Sequence, residues 1–383
     1  MYKEFVSYIR EIYKTPTGFL PLHEPRFIGN EEKYVLDAIK STFVSSVGEY
    51  VNRFEEMMCQ ITGAKHVVAM VNGTNALHLG LELIGVKQGD EVLTQPLTFV
   101  STANAISYCK ATPHFIDVDK DTMGLSPMKL KAHLQEIAEI KNGHCYNRNT
   151  GRRIAACVPM HTFGLALYIE ELKTVCDEYN IPIVEDAAES LGTYANDKHT
   201  GTFGEIGIFS FNGNKTVTCG GGGALVTNND ALAKKAKHLS TQAKVPHKWE
   251  YTHDEIGYNY RMPNLNAALA CAQLEMLPQF IENKRKTHHM YASYLKNNTA
   301  LQLAEEIENT KSNYWLNAIL LESKEKREEF LTFTNENGIM TRPIWKLMNH
   351  LDLFKDCPKG NLVNAEYLEE RIVNITSSVR ING

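Results

Sequence analysis

The amino-acid sequence predicts an α/β protein: a large domain built on a mostly parallel seven-stranded sheet, then a smaller C-terminal α+β domain. Three observations carry this. Apolar, strand-like runs recur at 66–71, 91–95, 114–118, 154–160, 181–185, 206–211 and 222–227. Most gaps between them hold helical spacing, as in Leu130, Leu134 and Ile137, or Ile169, Leu172, Cys176 and Tyr179. Strands alternating with helices form a parallel sheet covered on both faces, and such sheets bind ligands at the carboxyl ends of their strands. The third observation is a break in this rhythm. Residues 243–263 are rich in Tyr, His, Trp and Lys. Beyond them come a helix at 265–280, a strand at 314–321, a charged helix near 323–337 closed by Gly338, a segment at 340–345 and a helix near 364–373. The domain boundary is drawn near here, giving a large domain of residues 1–250 and a small one of 251–383.

The elements ahead of the first strand read as helices. Phe5, Val6, Ile9, Ile12 and Tyr13 share one face of a helix over 2–13. Asn30 is placed to cap a second helix whose inner face carries Tyr34, Val35, Ala38 and Ile39. Residues 141–153, KNGHCYNRNTGRR, read as an exposed excursion, and His144 and Cys145 within it as loop residues rather than metal ligands.

Composition excludes several classes. At 383 residues the chain is long enough for a large core, and 43% hydrophobic with 22% charged residues is not the balance of a disordered or fibrous chain. A formal charge of −5 gives no global attraction for nucleic acid or anionic membrane. The eight cysteines are scattered without a CxxC pair, which argues for reduced thiols and against a disulfide frame or a metal site. The opening MYKEFVSYIREIYK has no continuous apolar run, and no later run is long enough to cross a bilayer, so a cytoplasmic location is expected.

Four strand ends carry candidate chemistry. After the first comes VNGTNALHL, where Gly73 and Thr74 open a helix whose amides and dipole can hold a phosphate; an ordinary strand–helix turn reads the same way. After the second comes Phe99, whose ring can stack on a planar cofactor or fill the core. The fifth runs into VEDAAES, supplying Glu185, Asp186 and Glu189. Buried acids need partners, and Asp186 can pair with a pyridinium nitrogen or with a helix dipole. The sixth leads into FSFNGNKTVTCGGGG, with Ser210 as a further phosphate donor and Lys215 as a lysine able to form an imine with pyridoxal phosphate. A surface hairpin with a solvated lysine is the other reading of that stretch. Each bland reading is plausible singly. The conjunction of cup, ring, acid and lysine on one sheet edge favours a cofactor.

The motifs NGTNAL, QPLTFVSTANAI, VEDAAESLG, FSFNGNKTVTCGGGG, GYNYRMPNLNAALACAQLE and TRPIWK resemble, in order, those of the DegT/DnrJ-type sugar aminotransferases, pyridoxal-phosphate enzymes of fold-type I, the aspartate-aminotransferase-like group. FLPLHEPRFIGNEE and SSVGEYVNRFEE look like its LegC-like subgroup, which aminates C4 of nucleotide-linked 4-keto-6-deoxy sugars. The resemblance implies that Lys215 is the Schiff-base lysine and Asp186 the partner of the pyridine nitrogen. It implies that Phe99 is the stacking ring, and that Gly73, Thr74 and Ser210 hold the phosphate. Glu189 would lie near the ring hydroxyl or the substrate, and Asn259 would reach the cofactor phosphate of a neighbouring subunit, making a homodimer with shared active sites obligatory. Arg261 and Tyr314 would contact the nucleotide sugar, with a structural ion-pair role as the equal alternative for Arg261. L-glutamate is the implied amino donor, and no nucleic-acid, membrane or metal partner is implied. The chain departs from the family pattern at GLALYIEEL, where Tyr168 replaces a capping Asp, and at Thr376, where a proline is expected. Two rivals remain: a sugar dehydratase of the same fold, which Lys215 argues against, and a non-catalytic cofactor-binding regulator.

Overall fold

The computed structural model describes residues 1–380, so the last three residues of the expected small domain lie outside the described residues. Seven strands build the main sheet: β1 (His66–Met70), β2 (Glu91–Thr94), β3 (Thr112–Phe115), β4 (Arg153–Val158), β5 (Val184–Asp186), β6 (Ile206–Ser210) and β7 (Gly223–Thr227). Their order is β3-β2-β4-β5-β6-β7-β1, with the β4–β5 junction made by the parallel bridges Cys157–Ile183 and Met160–Asp186. All run parallel except β7, which is antiparallel to both its neighbours. Because β7 alone is reversed, it begins at the edge where β1 and β6 end. Gly223 pairs there with both Met70 and Ser210. A Cβ on Gly223 would lie 2.4 Å from the carbonyl carbon of Asn72, so only glycine lets the β1 turn come that close. The glycine run thus admits the protein's own Asn72–Gly73 turn beside the lysine strand.

The polar excursion is an antiparallel hairpin, Ala138–Lys141 with His144–Asn147, that extends the sheet from the start of β4. Its turn is Asn142-Gly143, both at positive φ, and Cys145 is buried rather than exposed. The second helix, Glu31–Lys40, also differs from expectation. Asn30 sits at its N-cap without a capping bond and donates instead to Glu275, while Tyr34 and Ala38 are buried and Ile39 is exposed.

The small domain holds a four-stranded antiparallel sheet in the order Leu301–Leu303, Asn317–Leu321, Ile372–Ile375, Arg342–Pro343, with the helix Lys324–Glu336 against it. The strand Ile372–Ile375 overrides the end of the expected helix, which stops at Glu369. The first helix, Tyr2–Ile12, buries Phe5, Val6, Ile9 and Ile12 in the same core as Phe330, Val373 and Ile375. We propose to count residues 2–12 with the small domain rather than with residues 1–250. A single helix, Asn264–Leu295, joins the two parts. It enters the large core through Ala268, Cys271 and Phe280 and leaves through Tyr291 and Leu295 in the small one, with Pro278 inside it. Among the described residues no helix is long and apolar enough to cross a membrane.

Candidate active site

The carboxyl ends of β1, β2, β5 and β6 converge on a cavity of about 320 Å³. Seven residues singled out from the sequence line it together: Gly73, Thr74, Phe99, Asp186, Glu189, Ser210 and Lys215.

The floor is a helix start. Asn72 caps the helix Gly73–Leu83 by accepting from the Asn75 amide at 2.8 Å. The capping reading and the phosphate reading therefore hold at once: Asn72 satisfies one amide, and the positive end of the helix still faces the cavity. A Cβ on Gly73 would stand 3.0 Å from that of Ser210, so the turn and the end of β6 pack as closely as glycine permits. Phe99 stands at the N-cap of the helix Val100–Tyr108, its ring half exposed and edge-on to Trp345 at 6.4 Å. A half-exposed ring on a cavity wall is a stacking surface, not a core filler.

Asp186 is held from behind. Thr102 Oγ1 donates to Asp186 Oδ2 at 2.7 Å, and the Ala188 amide donates to Asp186 Oδ1 at 3.2 Å. Those two donors aim a buried carboxylate into the cavity with lone pairs to spare. Lys215 Nζ lies 3.3 Å from Glu189 Oε1 and 4.2 Å from the centre of the Trp315 ring. Burial raises the Glu189 carboxyl to about 7, against the opposing pull of Lys215 and of the Phe163 amide. Near neutral pH it therefore exists in both forms and can donate or accept a hydrogen bond.

The remaining expected residues do not line the cavity. Asn259 is exposed, its backbone bridged to Thr241. Arg261 bridges Met70 at the end of β1, and its Nε is buried with no hydrogen-bond partner. Tyr314 points elsewhere: it is buried and stacked 3.6 Å from the His288 ring. Its neighbour Trp315 lines the cavity instead, with Trp345, Asn212 and Asn214. Asn212 and Asn214 lie within FSFNGNKTVTCGGGG and Trp345 within TRPIWK; only Trp315 fell outside the motifs recognised in the sequence. Tyr168 heads its helix without a side-chain cap bond and donates to Asp121 at 2.7 Å. The Thr376 hydroxyl is buried without a partner. Neither lies at the cavity.

The donor set fits a phosphorylated pyridine cofactor: a helix N-terminus with Thr74 and Ser210 for the phosphate, a ring for the face, an acid for the nitrogen and a lysine for the aldehyde. Comparison with known proteins agrees. Residues 26–383 match the model of the DegT/DnrJ/EryC1/StrS aminotransferase family.

The chain belongs to this family. It is a pyridoxal-phosphate-dependent aminotransferase of fold-type I. The aminotransferase is 38% identical over 333 residues to EpsN of Bacillus subtilis, named as a pyridoxal phosphate-dependent aminotransferase, covering 87% of this chain and 83% of that one. It is 36% identical over 338 residues to the GDP-perosamine synthase of Vibrio cholerae, covering 88% and 87%. The solved structure of Helicobacter pylori PseC, an aminotransferase of pseudoaminic acid biosynthesis, superposes with a TM-score of 0.86 over 95% of each chain; at 23% identity that likeness speaks for the fold.

Proposed function

We propose that this aminotransferase moves an amino group from L-glutamate to C4 of a nucleotide-linked 4-keto-6-deoxy sugar, as a LegC-like enzyme acting in the cytoplasm. The proposed substrate is UDP-2-acetamido-2,6-dideoxy-hexos-4-ulose, and the product would feed a bacterial surface glycan or a nonulosonic acid of the legionaminic type. The observation that carries the reading is the Lys215 amine in the cavity lining, set beside Glu189 and opposite an acid fixed by Thr102. Bound pyridoxal phosphate supplies the electron sink for the carbanion at the reacting carbon. Lys215 takes the proton from Cα of the donor and later delivers one to C4 of the sugar. Asp186 keeps positive charge at the ring nitrogen, and Glu189, partly protonated near neutral pH, shares a proton with the ring hydroxyl or the sugar.

The substrate's two phosphates need cations, and among the described residues Lys215 is the one cationic side chain in the cavity lining. Arg261, with its unpartnered Nε near the end of β1, and Asn259 fit a site completed across a homodimer. Phe27, Ile28, Leu36, Ile39, Phe43, Val44 and Val47 are all exposed within one stretch of chain, an apolar surface that a second copy would cover. A second reading, a GDP-linked sugar, is favoured by the identity to the GDP-perosamine synthase of Vibrio cholerae.

The test is to incubate the holoenzyme and glutamate with UDP-, GDP- and dTDP-linked 4-keto sugars, reading products by mass spectrometry and NMR. Amination of the UDP sugar supports the first reading and amination of the GDP sugar alone replaces it with the second. No amination of any sugar sinks both readings.

A further inference from the structure

Trp315 lies where the chain passes from the cavity into the small-domain strand Asn317–Leu321, and it is fixed at every polar atom it has. Its backbone N–H donates to Asn313 Oδ1 at 2.8 Å and its carbonyl accepts from Lys284 Nζ at 3.0 Å. The indole Nε1–H donates to the Asn214 carbonyl at 2.6 Å, one residue before the lysine. Asn313 in turn donates to the carbonyls of Glu189 and Leu191, both at 2.9 Å. Between them, Tyr314 takes a left-handed φ of 44°, a costly conformation for a tyrosine, stabilised by its stack on His288. Past that turn the Trp315 ring faces the large domain, bonded to Asn214. The ring is 4% exposed, and the Lys215 ammonium stands 4.2 Å from its centre.

We propose that Trp315 is a positioning residue for Lys215: its indole face and the Glu189 carboxylate together hold the free ammonium beside the reacting atoms whenever the lysine is not bonded to the cofactor. The proposal rests on the reading of Lys215 as the reacting lysine. A lysine side chain has about 2 kcal/mol of rotamer freedom, and the amine must return to the same carbon in every half-reaction. An aromatic face attracts the cation without forming a bond that must later be broken, which a second carboxylate would do less reversibly. The indole N–H bond to Asn214 fixes the ring relative to the lysine's own turn, so ring and amine move as one unit.

The test uses the cofactor-free protein, so that it reads the indole–amine contact independently of the chemistry. Trp315→Leu and Trp315→Phe are labelled with an amine-acylating reagent and the rates at Lys215 and Lys284 are followed by peptide mass spectrometry. Lys284 is buried and bonded only through backbone carbonyls that both variants keep, so it reports general loosening. Labelling of Lys215 is expected to rise roughly fivefold in Trp315→Leu with Lys284 unchanged, and Trp315→Phe, which keeps an aromatic face, to retain most of the protection. An unchanged Lys215 rate in Trp315→Leu overturns the proposal. So does a joint rise at both lysines, or a Phe variant that behaves like the Leu variant. In the loaded enzyme, Trp315→Leu should lower kcat roughly fivefold with KM for glutamate within about twofold. A change in KM alone counts against it. Borohydride fixation of the cofactor onto a peptide lacking residue 215 would instead remove the reading beneath, whatever the labelling shows.

Discussion

Glu185 and Glu189 are four residues apart at the end of the same strand, both fully buried, and they behave in opposite ways. Burial pushes each carboxyl up. At Glu185 the push is overcome: His161 Nε2 donates at 3.1 Å, and the amides of Gly201, Phe203 and Gly204 add three more bonds, holding the carboxyl below its ordinary value. Among the described residues only the Phe163 amide and the Lys215 ammonium donate to Glu189, and the value stays up at about 7. An acid whose lone pairs are all occupied is part of the scaffold, tying the 201–204 turn to β5. An acid left short of donors beside a movable lysine has capacity for a ligand.

The contrast can be broken from either side. Lys215→Ala removes the cation paired with Glu189, and glutamate-dependent turnover should fall by about 10⁴-fold or more with little change in the melting temperature. His161→Ala does the reverse. It strips Glu185 of its side-chain partner inside the core and should cost about 3–5 kcal/mol in urea unfolding, while the fraction that remains folded keeps its turnover per site.

Glu189→Gln sharpens the comparison through pH. The folded carboxyl titrates near 7 against a reference of 4.5, so the folded state holds the proton more tightly than the unfolded chain. The stability this contributes is complete below the unfolded value and is lost as pH rises through the folded one. Between pH 4.5 and 7 the native protein should lose up to about 3 kcal/mol from this group, and the glutamine variant should lack that slope. Urea midpoints of the cofactor-free protein at pH 5 and pH 8 measure it. The smallest effect is expected at Thr102→Val, which keeps the shape but removes the hydroxyl behind Asp186: a fall of roughly tenfold in kcat/KM and weaker retention of the cofactor.

What the sequence revealed follows the range over which each signal acts. The strands, the β1 turn and the lysine strand are local patterns, and the family resemblance covers them, so Gly73, Thr74, Phe99, Asp186, Glu189, Ser210 and Lys215 were all legible. Trp315 and Thr102 were not, because their roles exist only after the small domain and the β2 helix fold back onto residues 186–215. Tyr314 was chosen where its neighbour serves, since a left-handed residue reverses which side chain faces the cavity. The hairpin at 138–147 was readable from Asn142-Gly143 but was masked by its polar strands. The helix expected at 265–280 runs on to Leu295, with Pro278 inside it.

The packing of the first helix has a consequence for the order of assembly. Phe5 and Ile9 share a core with Val373 and Ile375, and the Tyr13 hydroxyl donates to the carbonyls of Thr376 and Ser378. On a ribosome that helix emerges well before the surface it packs on, which starts at Tyr291 and is completed by Val373 and Ile375. Until those residues are made it waits with its apolar face uncovered, while the sheet that carries Lys215 can already form. The small domain therefore closes only after its last strand is made, and pausing between residues 291 and 375 would lengthen the interval in which the nascent chain is open to aggregation.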